Sequence, residues 1–315
     1  MFVGFDIGGT NIKAVLADKT GKILSFRETA TPDSAEKIDT EIYNIIEVLA
    51  TSSSYSKMDI KAVGIGAAGS IDRNRGIIIT SPNIKGWKKY PLAKNIEKIT
   101  GLNVFLENDA TAALIGGWWK GNGSKFKNWI MLTLGTGIGG GVIIDNKIYT
   151  GQTGSAMEVG HMTIDYNGRK CKCGNTGCLE QYASATALVN YVKDNLHAHK
   201  NSSIHARMGK EELTSKMIYE ESLASDELAV LALAEISMYL GVGASNLVNI
   251  FNPEAIILGG GLSLAHKIII PIMKKVINER SLPGMKENVK ILPTKDQSTI
   301  PALGAVKIAI DSLGN

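Results

Sequence analysis

The stretch FVGFDIGGTNIKAVLAD, residues 2–18, decides the fold, because a similar pattern occurs again as WIMLTLGTGIGGGVIID at residues 129–145. A shift of 127 residues superimposes the copies and carries Gly8 onto Gly135. Each copy is an apolar run that stops at a glycine-rich turn, then a second apolar run and a turn with aspartate, which predicts a strand, a tight turn and a returning strand. The repeat therefore predicts two similar lobes, and a cleft between lobes is a common place for a ligand.

Outside the repeat, apolar spacing predicts strands that alternate with helices, as in an α/β protein. Predicted helices cover 35–51, 92–100, 110–119, 226–251 and 302–313, and predicted strands cover 61–67, 102–106, 255–258 and 289–293. Residues 196–214 are polar and irregular, which is typical of a surface excursion, and Ser263 is predicted to cap the helix that follows it. We expect a smaller lobe, residues 1–115 joined by the C-terminal helix 302–315, and a larger lobe, residues 116–301, with the cysteine cluster.

The composition is that of an ordinary soluble protein. Hydrophobic residues make up 44% of the 315 residues and charged residues 20%, and this length suits two lobes better than one small core. The net charge of +4 comes from scattered basic residues, whereas a nucleic-acid-binding protein usually has a dense basic stripe. No apolar run has the length of a membrane span, and Asp6 interrupts the apolar N-terminus, which argues against a signal peptide. We therefore expect a cytoplasmic protein without nucleic-acid or membrane partners.

The first glycine turn has the residues of a phosphate-binding site. Backbone N–H groups at Gly8 and Gly9 can approach phosphate oxygens closely because glycine has no side chain, and Thr10 adds a hydroxyl donor. Asp6, at the end of the preceding strand, has a carboxylate that could hold the magnesium ion of a nucleotide through water. The same residues also suit an ordinary hairpin, so this turn alone leaves both interpretations open.

The second glycine turn contains Gly135, Gly137 and Gly140 at the spacing of the dinucleotide-binding fingerprint. That fingerprint must open a helix, whereas the β-branched run at residues 142–144 predicts a strand. The sequence also has no GxxxxGK[ST] motif, so NAD binding and a P-loop are both rejected. Two repeated glycine hairpins suit a nucleotide whose phosphates are held from both lobes.

Asp109 follows Glu107 and Asn108 at the end of a predicted strand and just before a predicted helix. A carboxylate in this position is suited to accept a proton from a sugar hydroxyl, since phosphoryl transfer to a sugar needs a base within hydrogen-bond reach. The alternative is that Asn108 or Asp109 only caps the helix that begins at Ala110. The local sequence alone favours a helix cap. The presence of the other motifs in the same chain favours Asp109 as a general base.

His161, Cys171, Cys173 and Cys178 provide one imidazole and three thiols close together in the sequence. Four nitrogen and sulfur ligands form the set that a closed tetrahedral zinc site takes, and an odd number of cysteines argues against a disulfide framework. One alternative is three unrelated buried cysteines, which their density disfavours. Another is a nucleic-acid-binding zinc finger, which would need a second ligand pair and a basic helix. We therefore expect a structural zinc ion.

Glu158 and Glu180 lie close to the predicted metal ligands along the chain. Carboxylates recognise sugar hydroxyls well, because each carboxylate can accept several hydrogen bonds. Each glutamate alone could be a solvated surface acid, but the position beside a rigid metal site makes both candidates for sugar binding.

These motifs together resemble the ROK family, which contains repressors and sugar kinases. The matching segments are DIGGTN (6–11), ENDATAA (107–113), LGTGIGGGVI (134–143), EVGH (158–161), CKCGNTGCLE (171–180) and LGGGLS (258–263). They follow the family order over nearly the whole chain, and the cysteine-rich segment is the most specific of them. The resemblance implies an actin/hexokinase-like (ribonuclease H-like) α/β fold, duplicated in two lobes that close on ATP and a sugar.

The resemblance also implies a role for each site residue. Asp109 is implied as the catalytic base, and His161 would contact both sugar and zinc through its two ring nitrogens. The residues implied in sugar binding are Gly69, Asn83, Asn108, Asp109, Glu158, His161 and Glu180. The residues implied in binding ATP and magnesium are Asp6, Gly8, Gly9, Thr10, Gly135, Thr136 and Gly137 at the phosphates and Gly259, Gly260 and Gly261 near the adenosine. The implied zinc ligands are His161, Cys171, Cys173 and Cys178.

The expected function is ATP-dependent phosphorylation of a hexose. SPNIKGW, residues 81–87, resembles the glucokinase-like members more than the kinases of N-acetyl sugars, which favours glucose, while fructose, mannose and N-acetylhexosamines stay open. Repressors of the family have an added N-terminal helix-turn-helix, whereas the first phosphate motif here begins at residue 4, which favours a kinase. A sugar-sensing regulatory protein without turnover is the alternative from another class. The resemblance further implies a homo-oligomer, either a dimer or a tetramer.

Overall fold

The structure is a computed structural model of the chain, and it forms two compact units. Unit 1 consists of residues 1–125 and 295–315, and unit 2 consists of residues 126–294. The residues that the structure describes are 1–53, 55–81, 84–152, 154, 156–296 and 298–314.

Each unit contains a five-stranded sheet, and unit 1 has a further three-stranded sheet. The strands are β1 (Phe2–Ile7), β2 (Asn11–Ala17), β3 (Ile23–Ala30), β4 (Ala62–Ala67), β5 (Ser70–Asp72), β6 (Ile77–Thr80), β7 (Lys88–Tyr90), β8 (Asn103–Asn108), β9 (Trp129–Leu134), β10 (Ile138–Ile144), β11 (Lys147–Tyr149), β12 (Ala255–Gly259) and β13 (Lys290–Pro293). The helices are α1 (Ala35–Ser52), α2 (Leu92–Thr100), α3 (Asp109–Trp119), α4 (Glu180–Ala183), α5 (Ala185–Asn195), α6 (Ile204–Met208), α7 (Ser215–Leu223), α8 (Glu227–Phe251), α9 (His266–Arg280) and α10 (Ile300–Leu313).

The five-stranded sheet of unit 1 has the order β3-β2-β1-β4-β8. β1 is antiparallel to β2 and parallel to β4, and β4 is parallel to β8. The glycine turn joins β1 to β2 directly, whereas parallel neighbours need longer crossovers, which contain α1 and α2. The carboxyl ends of β1, β4 and β8 therefore meet at one edge of the sheet, where they lead into Gly8, Ala68 and Asp109.

The sheet of unit 2 has the order β11-β10-β9-β12-β13. β9 is antiparallel to β10 and parallel to β12, and β12 is parallel to β13. These directions match those of unit 1, so the sequence repeat is also a repeat of structure and the predicted duplication is confirmed. At the carboxyl edge of this sheet, β9 leads into Gly135 and β12 into Gly260.

The C-terminal helix α10 packs on the sheet of unit 1 through glycines. A Cβ atom on Gly4 would lie 2.0 Å from the Ala302 oxygen, and one on Gly64 would lie 1.8 Å from the Ala305 oxygen. Helix and strand backbones are therefore in contact, which only glycine permits at these two positions.

The units end at different residues from the lobes expected on sequence, which were 1–115 with 302–315, and 116–301. The helices α3 and α10 approach closely, and a Cβ atom on Gly116 would lie 1.9 Å from the Ile300 oxygen. Because this contact lies near the end of α3 and at the start of α10, both helices belong to unit 1 over their full lengths.

Residues 196–214, expected to be an irregular surface excursion, contain the short helix α6 and contribute Ile204 and Leu213 to the core of unit 2. Arg207, on this segment, binds the carboxylate of Glu220 on α7. A helix of five residues is too short to show a 3.6-residue apolar period, so the sequence does not predict it.

The start of α9 also differs from the prediction. Ser263 lies inside a 3-10 turn, Gly261–Ala265, and its hydroxyl donates to the Gly260 oxygen at 2.9 Å. The helix itself begins only at His266, so Ser263 shapes the turn before the helix and is not its N-cap.

The helix α8 is long and apolar enough to cross a membrane by length and composition, although Glu235 interrupts the apolar run in the sequence. Within the protein, 61% of its most apolar stretch is buried. Leu233, Ile236 and Leu240 lie in the core of unit 2, so α8 has the surroundings of a core helix.

Candidate active site

The first glycine turn follows β1, and hydrogen bonds fix its shape. The Gly8 N–H donates to the Asn11 oxygen at 3.0 Å, and the Thr31 hydroxyl donates to the Gly8 oxygen at 2.7 Å. The Thr31 N–H donates to the Thr10 oxygen at 2.8 Å. Gly9 and Thr10 are exposed, so the tip of this turn is open to a ligand.

Asp6 and Asp109 interact electrostatically at the carboxyl edge of the unit 1 sheet. Burial raises the pKa of Asp6 to about 7, the negative charge of Asp109 contributes to the increase, and Lys13 opposes it. Asp6 is therefore partly protonated at neutral pH. A divalent cation bound here would displace this proton, because a positive charge favours the carboxylate form.

Asn108 is the N-cap of α3. Its carboxamide oxygen accepts the N–H groups of Ala110 at 2.9 Å and Thr111 at 3.2 Å, and its Nδ2 donates to the Gly69 oxygen at 3.1 Å. Asp109 is the first residue of the helix, and one of its carboxylate oxygens accepts the Ala110 N–H at 2.9 Å. The cap is thus supplied by Asn108, and the Asp109 carboxylate lies in the first turn, where the helix dipole favours negative charge.

Gly69, predicted to contact the sugar, has a backbone conformation that requires glycine. Its φ is +128°, and a Cβ atom would lie 2.4 Å from the Thr80 oxygen. Its hydrogen bond with Asn108 shows that the structure brings these two predicted residues together. Asn83, the third predicted sugar contact, lies outside the described residues. Trp87, from the same sequence motif, is buried in the core of unit 1.

An ion pair that sequence reasoning missed lies next to Asn108. Glu107, only 7% exposed, has one carboxylate oxygen 3.3 Å from Arg73 Nη1 and accepts the Asn108 N–H with the other at 3.0 Å. Burial raises the pKa of Glu107, and the Arg73 guanidinium partly opposes this shift. The pair ties the turn between β5 and β6 to the end of β8. The sequence does place Glu107, an acidic residue, near the end of a buried strand. It does not indicate Arg73 as the partner, because Arg73 is distant in the sequence.

The second glycine turn, residues 135–137, is held by the N-terminus of α5. The Ala185 N–H donates to the Gly135 oxygen at 2.9 Å, and the Thr186 hydroxyl donates to the Thr136 oxygen at 2.7 Å. Sequence reasoning missed both contacts, because the second joins residues 50 positions apart and no motif marks it.

The glycines that follow β12 lie beside the second glycine turn. Parallel pairing places Gly259 opposite Thr133. Gly260 has a φ of +80°, and a Cβ atom on it would lie 2.5 Å from the Leu134 oxygen, so only glycine fits this approach. The structure therefore brings both sets of predicted nucleotide-binding glycines in unit 2 to one edge of the sheet, with Gly261 next to them.

His161, Cys171, Cys173 and Cys178 converge as predicted, and their ligand atoms all lie within 4.8 Å of one another. The sulfur atoms of Cys173 and Cys178 are 3.7 Å apart, and the Cys171 sulfur is 3.8 Å from His161 Nδ1. Metal–sulfur bonds of about 2.3 Å in a tetrahedron place sulfur atoms roughly 3.8 Å apart. The four side chains thus have the spacing of a tetrahedral metal site and can hold one ion.

Glycines shape the loop that carries the cysteines. Gly174 and Gly177 have φ values of +96° and +77°, and a Cβ atom on Gly177 would lie 1.7 Å from the Asp165 oxygen. These tight turns let Cys178 pair with Thr163 across the loop.

Glu180 contacts both the metal-ligand cluster and the second glycine turn. One carboxylate oxygen is 3.3 Å from the Cys171 sulfur and 3.8 Å from His161 Nδ1. A Cβ atom on Gly137 would lie 2.6 Å from the other carboxylate oxygen. Glu158 is exposed and immediately precedes the turn that carries His161, so both predicted glutamates lie near the cluster along the chain.

The sequence pattern of the ROK family matches residues 2–312. The chain belongs to the ROK family. This match confirms the resemblance seen in the motifs. It covers nearly all residues of both units.

Relatives in the ROK family include proteins named as kinases and proteins named as repressors. The glucokinase of Halalkalibacterium halodurans is 36% identical over 92% of this chain and 88% of its own length. The xylose repressor of Caldicellulosiruptor bescii is 32% identical over 99% of this chain and 78% of its own length.

A ROK family glucokinase from Streptomyces griseus, solved in complex with glucose and AMPPNP, has the same fold. It matches with a TM-score of 0.88 and 35% identity, over 98% of this chain and 99% of its own. The actin/hexokinase-like fold class predicted from the sequence is thereby confirmed for this ROK protein.

The raised pKa of Asp6 predicts that Asp6→Asn stabilises the protein against unfolding, and more so at higher pH. An aspartate with an ordinary pKa when unfolded and a pKa of about 7 when folded loses stability as pH rises from about 4 to 7. Asparagine carries no such charge. We expect the melting temperature of Asp6→Asn to exceed that of the wild type by roughly 2–6 °C at pH 8 and by less at pH 5.5.

Asp33→Asn is the control for this comparison. The Asp33 carboxyl is exposed and Lys37 holds its pKa below the usual range, so its replacement should give no gain at pH 8. Equal melting temperatures for wild type and Asp6→Asn at pH 8, measured by calorimetry, would contradict the interpretation of Asp6.

Proposed function

We propose that the protein is an ATP-dependent glucokinase that transfers the γ-phosphoryl group of ATP to the 6-hydroxyl group of glucose. The observation that carries this proposal is the position of Asp109, at the carboxyl end of β8 and in the first turn of α3. Support comes from the match to a glucokinase that binds glucose and AMPPNP. We propose a cytoplasmic location for this reaction.

Asp109 acts in this proposal as the general base. Phosphoryl transfer needs little covalent chemistry from the protein and depends on positioning and on stabilisation of charge. The Asp109 carboxylate accepts the proton of the 6-hydroxyl group as that oxygen attacks phosphorus. Because Asn108 supplies the helix cap, the base is held at a defined point of the first helical turn.

Backbone N–H groups of residues 8–10 and 135–137 bind the phosphates in this proposal, and residues 259–261 lie near the adenosine. Asp6 suits magnesium, because it is a carboxylate at the strand end beside the first glycine turn. Magnesium, when bound with the nucleotide, neutralises charge on the phosphates. Asp6 would bind it as the carboxylate and give up the proton that it partly retains near neutral pH.

Sugar recognition is assigned to Gly69, Asn83, Asn108, Asp109, Glu158, His161 and Glu180. Asn108 already uses its oxygen for two helix N–H groups and one Nδ2 hydrogen for Gly69. A primary amide has two donor hydrogens and one oxygen with two lone pairs. We therefore assign Asn108 as a donor to a sugar oxygen. His161 has Nδ1 towards the cysteines, which leaves Nε2 for the sugar.

We assign the ion held by His161 and the three cysteines as structural zinc. The nitrogen and sulfur donor set and the tetrahedral spacing both support zinc. Burial raises the pKa of the Cys171 thiol to about 12, so the positive charge of the ion is needed to hold it as the coordinating thiolate. Bound zinc would order the loop that leads to Glu180 and fix the ring of His161.

A sugar-sensing protein without turnover is the second candidate, and the similarity to a xylose repressor over 99% of the chain is the observation that favours it. The two candidates differ in one measurable property. A kinase releases ADP when both sugar and ATP are present, whereas a sensor binds the sugar and releases none.

We predict that Asp109→Asn keeps glucose binding and loses turnover by on the order of 10²-fold or more, since the shape is retained and the proton acceptor is lost. Glucose-dependent ADP release and calorimetric glucose affinity are measured on the same preparation. Asp33→Asn, which removes an exposed carboxylate, should turn over like the wild type. Near-normal turnover in folded Asp109→Asn would show that Asp109 is not the general base and only contributes to the start of α3.

We predict about one zinc ion per chain in the freshly purified protein, as expected for a single four-ligand site. Cys173→Ala should lose the ion and weaken glucose binding by about tenfold or more, with a smaller effect on ATP binding, because the loop supports Glu180 and His161. Lys172→Ala, an exposed neighbour in the same loop, is the control and should keep both. Elemental analysis that finds no zinc in the wild type would contradict the assignment.

A further inference from the structure

The first turn of α5 makes two hydrogen bonds to consecutive carbonyl groups of the second glycine turn. The Ala185 N–H donates to the Gly135 oxygen at 2.9 Å, and the Thr186 hydroxyl donates to the Thr136 oxygen at 2.7 Å. Ser184, buried, caps the helix by accepting the Ala187 N–H at 3.1 Å, so this first turn is itself well held.

These two bonds determine where the neighbouring N–H groups point. In a trans peptide the C=O and the following N–H point in opposite directions, and the described residues contain no cis peptide bond. The Gly135 carbonyl shares its peptide plane with the Thr136 N–H, and the Thr136 carbonyl shares its plane with the Gly137 N–H. Both N–H groups are therefore directed away from α5.

The third N–H group of the turn is already used. The Gly135 N–H donates to the Gly137 oxygen at 3.0 Å. The two N–H groups turned away from α5, those of Thr136 and Gly137, are thus the pair that can donate to an anion together.

We propose that the first turn of α5 orients the second glycine turn for phosphate binding, with Thr186 as the positioning side chain. The proposal rests on the proposed function in that the anion is the phosphate chain of ATP. Thr186 does not touch the reacting atoms and acts through the peptide units of residues 135–137.

Such a restraint is needed because glycines flank Thr136 on both sides. Glycine populates more backbone conformations than other residues, so a peptide unit between glycines can rotate at small steric cost. An N–H group lowers the barrier of phosphoryl transfer most when its direction is set before charge develops. The two bonds from α5 supply this pre-organisation.

The same short segment also carries one of the four metal ligands. Residues 178–186 contain the ligand Cys178, the carboxylate of Glu180 and the two donors that hold the second glycine turn. The Glu180 carboxylate in addition occupies the space where a side chain at Gly137 would lie, 2.6 Å from its Cβ position. The proposed sugar and phosphate sites of unit 2 thus share one structural support.

The test compares Thr186→Val, which keeps the shape and removes the hydroxyl, with Thr186→Ser, which retains the hydroxyl. We expect kcat/KM for Mg-ATP to fall by about tenfold in Thr186→Val, while the glucose affinity stays within about twofold of the wild type. Thr186→Ser should recover kcat/KM to within about twofold of the wild type. Thr51→Val is the matched control, since it removes a hydroxyl-to-carbonyl bond of 2.6 Å in α1 and should change neither quantity.

Calorimetric binding of Mg-AMPPNP gives a readout that needs no turnover. We expect Thr186→Val to bind it about tenfold more weakly than the wild type and Thr186→Ser to bind it normally. If the wild type binds the nucleotide but phosphorylates no hexose, the proposed function fails, and this binding comparison still decides the inference. The inference is overturned if Thr186→Val matches the wild type in nucleotide affinity and kcat/KM, or if Thr186→Ser is as impaired as Thr186→Val.

Discussion

Parallel pairing of strands is the constraint on which the candidate residues of both units depend. Strands that run in the same direction bring their carboxyl ends to one edge of a sheet. In unit 1 this places the turn after β1 and Asp109 after β8 at one edge of the sheet, with β4 between the two strands, and in unit 2 it places the turn after β9 beside Gly260 after β12. The antiparallel return of β2 and of β10 keeps each glycine turn tight at that edge. The repeat thus produces two similar sheet edges. The two edges differ in the side chains that follow their strands.

Features that depend on local sequence could be predicted. The two glycine turns and the strands on either side of them follow from the repeat. The metal-ligand cluster follows from four donor residues that lie close together in the sequence. The role of Asn108 was only partly predictable: helix-capping statistics could name Asn108 or Asp109, and the observed bonds from Ala110 and Thr111 show that Asn108 is the cap.

Features that depend on contacts between distant segments could not be predicted. Glu107 and Arg73 form their ion pair through the fold of the three-stranded sheet, and Thr186 reaches Thr136 across 50 positions. Neither contact leaves a period or motif in the sequence. The bounds of the units were missed for the same reason, since the glycine contacts between α3 and α10 decide them. Close approach of two backbones needs a glycine, but a glycine in the sequence does not show which segment packs against it.

Glucose is the sugar that this ROK chain is expected to phosphorylate. The most direct test is kcat/KM for ADP formation with glucose, mannose, fructose, N-acetylglucosamine and N-acetylmannosamine in one assay, with the product identified by phosphorus NMR. We expect the highest kcat/KM with glucose, and glucose 6-phosphate as the product. An N-acetyl sugar or fructose that exceeds glucose by about tenfold, equivalent to ~1.4 kcal/mol, would contradict the assignment of the sugar. No sugar-dependent ADP formation with any of the five would contradict the kinase itself.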